Sequence, residues 1–189
     1  MLNRPQHWKP EGLIKRITDN ETVQSWLSTK GSLTARLREG CPKIEVHILS
    51  ERLEVPLNNE AIALKMHSSE QAWVRCVLLR CDQENWIYAR TVISNFNSQN
   101  PWESLQKLGN KPLGDVLFET PSIKRTAFAF SKLPLATWPY LTKQLASGQK
   151  TLPSFARRSV FLQQDAPLLL TEVFLPGLFK TTKAFPDPD

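Results

Sequence analysis

Two charged residues stand where the pattern around them leaves little room for charge. In the segment Leu168–Leu175, extended backbone puts Leu168, Leu170, Glu172 and Phe174 on one face and Leu169, Thr171, Val173 and Leu175 on the other. Glu172 therefore lies among bulky apolar side chains whichever face is buried. Arg75 is the second case: Trp73, Arg75, Val77 and Leu79 alternate with Val74, Cys76 and Leu78, so both faces are apolar apart from the arginine. An unpaired buried charge costs several kcal/mol, so each group must be paired, neutralised or used. Under one reading the two are partners in a structural ion pair, or each reaches solvent at a sheet edge. Under the other they share a pocket, the arginine fork clasping a carboxylate with two parallel N–H groups and the glutamate meeting a hydroxyl. Periodicity leaves both readings open.

The elements that must carry these residues can be placed from capping and alternation. Asp19 or Asn20 caps a first helix through Val23, Trp26 and Leu27; Ser32 caps a second with Leu33 and Leu37 inward, closed by Gly40. Ile44, Val46 and Ile48 mark a strand, with a turn near Glu51 returning through Leu53 and Val55. Trp73–Cys81 and Trp86–Ile93 form a hairpin across the polar link Asp82–Asn85. Pro101 opens a helix that ends at Gly109, Leu113–Phe118 is a short helix or turn, and Ile123–Phe130 is a strand. Residues 133–153 read as a surface excursion, and Ser154–Gln164 with Pro167–Leu175 as a closing hairpin. Residues 1–15 and 180–189 read as peripheral or flexible tails. Hairpin-joined strands with helices between them indicate a single α+β domain on an antiparallel sheet.

Composition bounds the function. The 189 residues are 41% apolar, enough for one core, and carry a net charge of +6. Basic residues are scattered, with only short clusters at Lys124-Arg125 and Arg157-Arg158, and no nucleic-acid motif accompanies them, so no nucleic-acid partner is expected. The most apolar run, Pro167–Phe179, is too short for a membrane span. Cys41, Cys76 and Cys81 are odd in number and form no Cys-x-x-Cys pair, which argues against a disulfide framework and for a reducing, cytoplasmic setting. His7, His47 and His67 have no metal-ligand spacing, and no phosphate loop or serine-hydrolase elbow occurs.

Six segments in order resemble the chorismate lyase family: Gly31-Ser32-Leu33-Thr34; Trp73-Val74-Arg75; Ala89-Arg90-Thr91-Val92-Ile93; Leu108 to Gly114 with Leu117-Phe118; Ala156-Arg157-Arg158-Ser159; and Leu168 to Pro176. The resemblance implies a six-stranded antiparallel sheet with helical flaps over an enclosed site. It implies a cofactor-free and metal-free enzyme that cleaves chorismate to 4-hydroxybenzoate and pyruvate, opening ubiquinone biosynthesis. Carried over residue by residue, Arg75 holds the ring carboxylate, Glu172 contacts the ring hydroxyl, and the main chain at Leu33 and Leu113 supplies further contacts. Arg90, on the neighbouring strand, is the candidate for the pyruvyl carboxylate. Three departures stand out: Cys76 where an acidic residue is common, Ser94 in place of a proline, and a longer stretch from Leu133 to Ser154. The expected protein is a cytoplasmic monomer with chorismate and 4-hydroxybenzoate as its small-molecule partners and no stable membrane insertion. The competing reading is a non-catalytic small-molecule-sensing domain of the same fold, as in some transcription regulators. Those carry an N-terminal DNA-binding domain, for which the residues before the first helix are too few.

Overall fold

The computed structural model describes residues 7–181. A short strand, β1 (Lys9–Pro10), leads through a 3-10 turn (Glu11–Arg16) into helices α1 (Glu21–Leu27) and α2 (Leu33–Gly40). Both helices begin as their caps dictate: the Asn20 side chain accepts from the Val23 amide and Ser32 from the Ala35 amide. Strand β2 (Ile44–Glu54) follows, then α3 (Asn58–Ala63), the hairpin β3 (Ala72–Cys81) and β4 (Glu84–Ile93), and α4 (Leu113–Glu119). Strands β5 (Lys124–Arg125), β6 (Ala129–Pro134), β7 (Pro153–Gln163) and β8 (Ala166–Phe174) and helix α5 (Pro176–Thr181) complete the described chain.

All strand pairs are antiparallel and form one sheet of eight strands in the order β1-β6-β7-β8-β4-β3-β2, with β5 also pairing β7. The α+β class with an antiparallel sheet is as expected, but the strand count of six is corrected to eight. The additional strands, β1 and β5, are two residues each, too short to leave an alternation in the sequence. The turn expected near Glu51 is also absent, because β2 runs on for eleven residues and absorbs the irregularity as a register shift between Ile48 and Ser50. The closing hairpin turns at Gln164 and Asp165, both with positive φ, as a tight two-residue hairpin requires.

Helices cover the sheet on both sides. On the front, α1, α2 and the turn Glu103–Lys107 bury Trp26, Leu27, Leu33, Leu37, Trp102 and Leu105 against Val77, Leu79, Ile93, Leu168, Leu170 and Phe174. On the back, Leu64 and the turns following β6 pack on Val74, Leu78, Tyr88, Val92, Ala156 and Val173. This revises the reading of residues 133–153 as a surface excursion: Leu135, Trp138 and Leu141 are buried, and the Trp138 indole donates to Ser154. The segment is the back cover of the sheet, and its widely spaced apolar residues fit no helical or strand period. Of the expected tails, residues 9–15 are built into the fold within β1 and the 3-10 turn and residues 180–181 within α5, whereas residues 1–6 and 182–189 lie outside the described range.

Cys41, just past the end of α2, and Cys81, at the end of β3, form a disulfide, leaving Cys76 free and buried. The odd cysteine count thus reflects one pair plus one core thiol, and the sequence argument for a reducing setting loses its basis. The bridge closes a separation of 40 residues. A loop of that length restrains the unfolded chain by about 4 kcal/mol. Reduction, or Cys41→Ser, should therefore lower the melting temperature by roughly 10 °C. Thiol titration of the denatured, unreduced protein should find one reactive group; finding three would show that the bridge does not form.

Candidate active site

Arg75 and Glu172 lie on the same face of the sheet. Arg75 is registered with Thr91 on β4, and Thr91 with Leu170 on β8. One pleat repeat along, Val77 pairs Ala89, Ala89 pairs Glu172, and Glu172 pairs Arg157 on β7. Two strand spacings and one repeat place the Arg75 and Glu172 Cα atoms roughly 12 Å apart. The side chains of Thr91 and Ala89 occupy that interval. Ala89 is only partly buried, although it sits on a central strand whose other residues from Trp86 to Ile93 are buried. Two small side chains thus lie between two long charged ones on this face.

Neither charge is left unpaired, and they are not each other's partner. Arg75, 3% exposed, donates Nη1 to Glu51, its cross-strand neighbour on β2, and Nη2 to the Gly109 carbonyl at 2.6 Å. Gly109 has φ +56°, a conformation that suits glycine and aims its carbonyl at the guanidinium. Glu172 accepts from Arg157 Nε at 2.6 Å. Of the two readings left open by the sequence, the mutual ion pair and the solvent-facing sheet edge are both set aside. The guanidinium and the carboxylate lie on one face of the sheet, each oriented by its own partner.

The helices carrying Leu33 and Leu113 form the roof. Leu33 opens α2 and is buried in the cluster with Val77, Ile87 and Phe174; Leu113 opens α4 and packs on the cluster of Trp73, Ile93, Leu168 and Leu170. The opening amide of a helix has no acceptor within it, which suits main-chain contacts at both positions. The two roof helices touch. Arg38 of α2 and Asp115 of α4 form a bidentate pair with both contacts at 2.8 Å, and Gly114 sits so close to Thr34 that a Cβ there would lie 2.8 Å from its hydroxyl.

Arg90 does not join them, which corrects its assignment to the pyruvyl carboxylate. It is registered with Cys76 and Thr171, so it points to the back face, where it is 1% exposed. There it grips Glu60 through Nε and Nη2, at 2.8 and 3.0 Å, and reaches Glu54 and the Cys76 sulfur through Nη1. Burial alone would lower its pKa, but hydrogen bonds and charge from Glu60 more than offset this and raise it. The Cys76 thiol is pushed up by burial, so it stays neutral, and Glu60 and Glu54 supply the negative charge that an acidic residue at position 76 would provide. Two partners on the front face were missed by the sequence reading. Glu51 was hidden by the misplaced turn, and Arg157, within the quoted Ala-Arg-Arg-Ser segment, was hidden by Arg158 on the opposite face and Ser159 on its own. Among the described residues no group of three or more His, Cys, Asp or Glu side chains is placed to hold a metal ion, and no helix is long and apolar enough to cross a membrane.

The architecture is one shared more widely. The C-terminal domain of PhnF superposes with a TM-score of 0.53 over 75% of this chain and 88% of its own, at 14% identity, and PhnF from Mycobacterium smegmatis with a TM-score of 0.50 over 71% and 59%, at 12% identity. At such identities the likeness concerns the fold alone. The sequence is more specific: the family model for chorismate lyase matches residues 2–184. A probable chorismate pyruvate-lyase of Hydrogenovibrio crunogenus is 45% identical over 92% of both chains, and one of Nitrosomonas europaea is 32% identical over 94% of this chain and 97% of its own. The chain belongs to the chorismate lyase family.

The back-face cluster makes two predictions. Arg90→Met should destabilise the fold by about 3–5 kcal/mol, because Glu60 stays buried without its partner; an unchanged melting temperature combined with a raised Michaelis constant would instead restore Arg90 to the substrate site. For Glu54, burial acts to raise the pKa, but hydrogen bonds from Tyr140 and Arg90 override it and hold the carboxyl below its ordinary 4.5. A depressed folded-state pKa contributes stability above the unfolded value that is lost as pH falls through the folded one. Glu54→Gln should therefore flatten the acid-side fall in melting temperature below about pH 4.5, measured by a pH series of thermal melts.

Proposed function

We propose that the chain is a chorismate pyruvate-lyase that works on the front face of the sheet, with Arg75 and Glu172 at the two ends of the substrate ring. The observation that carries this reading is their shared face, separated by Ala89 and Thr91 and roofed by α2 and α4. Arg75 receives the ring carboxylate. None of its bonds to described residues uses Nε, so a side-on fork of Nε and the second Nη2 proton is available, while Glu51 and the Gly109 carbonyl hold the group in place. Glu172 faces the hydroxyl-bearing carbon, with Arg157 holding its carboxylate.

The chemistry asks little beyond this. The bond between the ring and the ether oxygen breaks, the hydrogen on the hydroxyl-bearing carbon leaves as a proton, and the departing enolpyruvate takes up a proton at its methylene carbon to become pyruvate. The ring becomes aromatic, and that gain drives the reaction. The protein's part is to hold one conformer, to accept a proton at Glu172 and to stabilise charge on the leaving oxygen. The main chain at Leu33 and Leu113 closes over the ring from the two roof helices and encloses the site. Every group named comes from one chain, which suits a monomer.

The product, 4-hydroxybenzoate, keeps both the carboxylate and the hydroxyl, so it binds tightly, inhibits, and leaves only when the roof opens. It would then enter ubiquinone biosynthesis. The sensing-domain alternative rests on the shared fold, and the family match weighs against it.

Appearance of 4-hydroxybenzoate absorbance on incubation with chorismate tests the activity directly. An arginine–carboxylate contact is worth about 1.5–3 kcal/mol, so Arg75→Ala should raise the Michaelis constant at least tenfold. Glu172→Gln, which keeps an oxygen for Arg157 Nε but removes the charge paired with it, should reduce turnover and lower the melting temperature somewhat. Wild-type kinetics in either variant would remove that residue from the site.

A further inference from the structure

With Arg90 on the back face, the second carboxylate of the substrate lacks a cation. We infer that Arg157 receives the enolpyruvyl carboxylate, an assignment that rests on the placement of Arg75 and Glu172 proposed above. The ether arm is attached to the ring carbon next to the one bearing the hydroxyl, so its carboxylate falls at the Glu172 end of the site. Arg157 stands directly across from Glu172 on β7 and is 1% exposed. Its Nε is committed to Glu172 and its Nη1 to the carbonyls of Thr29 and Leu27, at 2.6 and 3.4 Å. No bond from Arg157 to a described residue uses Nη2. The guanidinium is fixed over Phe128 at 4.6 Å and near Phe174 at 5.9 Å, which sets the direction of that remaining donor.

The local charge balance points the same way. At the other end of the site, Arg75 is matched by Glu51. Around Glu172, one carboxylate faces Arg157 together with Arg125 and Arg36, whose pKa values are lowered by burial and further by the charge of Arg157. Both neighbours are otherwise occupied: Arg125 stacks on Phe128 and Phe118, and Arg36 stacks on Trp26 and donates to Ser25 and Thr29. Glu39 and Glu11 act on them only through longer-range charge. The positive excess therefore lies where a dianionic substrate has its second charge and where the product has none. Once pyruvate departs, Arg157 loses that ligand and the product is held by Arg75 and Glu172.

The test compares two ring acids: 4-hydroxybenzoate carrying a 3-carboxymethoxy arm, and the same compound with the arm as a neutral amide. Wild-type protein should bind the acid arm at least tenfold more tightly in competition with chorismate turnover. Arg157→Gln should bring the two within twofold, and Arg157→Lys, which keeps the charge and loses the fork, should give an intermediate ratio. A wild-type ratio near one, or equal losses for both compounds in Arg157→Gln, would overturn the inference and leave Arg157 as a support for Glu172. Should the glutamine variant not fold, the wild-type ratio and the lysine variant decide, an unchanged ratio in the latter counting against the assignment. Failure of Arg75→Ala to weaken either compound would refute the underlying site instead.

Discussion

A charge on the inner face of a covered sheet must find a partner, and here the partner is supplied across the strand. Arg75 meets Glu51 from β2, and Arg157 meets Glu172 from β8. These rungs place two buried guanidiniums and a partly buried carboxylate in fixed orientations. The site proposed for a dianionic substrate rests on that arrangement. Guanidiniums left free would be hydrated or mobile, and pairs fully satisfied on every donor would have nothing to offer. Among the described residues, each arginine keeps part of its fork uncommitted while the rest is tied to protein oxygens. Between the rungs the sheet carries only the small residues Ala89 and Thr91, on which the proposed placement of the ring rests.

The two faces of the sheet solve the same problem to different ends. On the back, every nitrogen of Arg90 is engaged: Glu60 takes Nε and Nη2, and Glu54 with the Cys76 sulfur takes Nη1. Such a network fixes α3 against the strands. Arg90 and Arg75 are one register step apart on adjacent strands, yet the pleat sends them to opposite sides.

Much of this was legible in the sequence because it depends on period. The caps at Asn20 and Ser32, the two hairpins and the anomalous charges at Arg75 and Glu172 all follow from local patterns. The assignment of Arg90 failed because a place on the neighbouring strand does not fix the face: that depends on the register between β3 and β4, which no single strand encodes. Residues 133–153 escaped because 3-10 turns bury isolated side chains such as Leu135, Trp138 and Leu141 without repeating. The Cys41–Cys81 bridge joins the end of a helix to the end of a strand 40 residues on, a proximity that only the assembled sheet creates. Arg157 is not singled out by the rule that found Arg75, because Arg158 follows it on the opposite face and Ser159 shares its own.

The disulfide also makes the two ends of α2 unlike. Its C-terminal end is tied covalently to the last residue of β3, whereas Leu33, ~12 Å away at the other end of an eight-residue helix, is held by packing against Val77, Ile87 and Phe174. The bridge thus fixes where α2 stands, and the close approach of Gly114 to Thr34 fixes how it leans on α4.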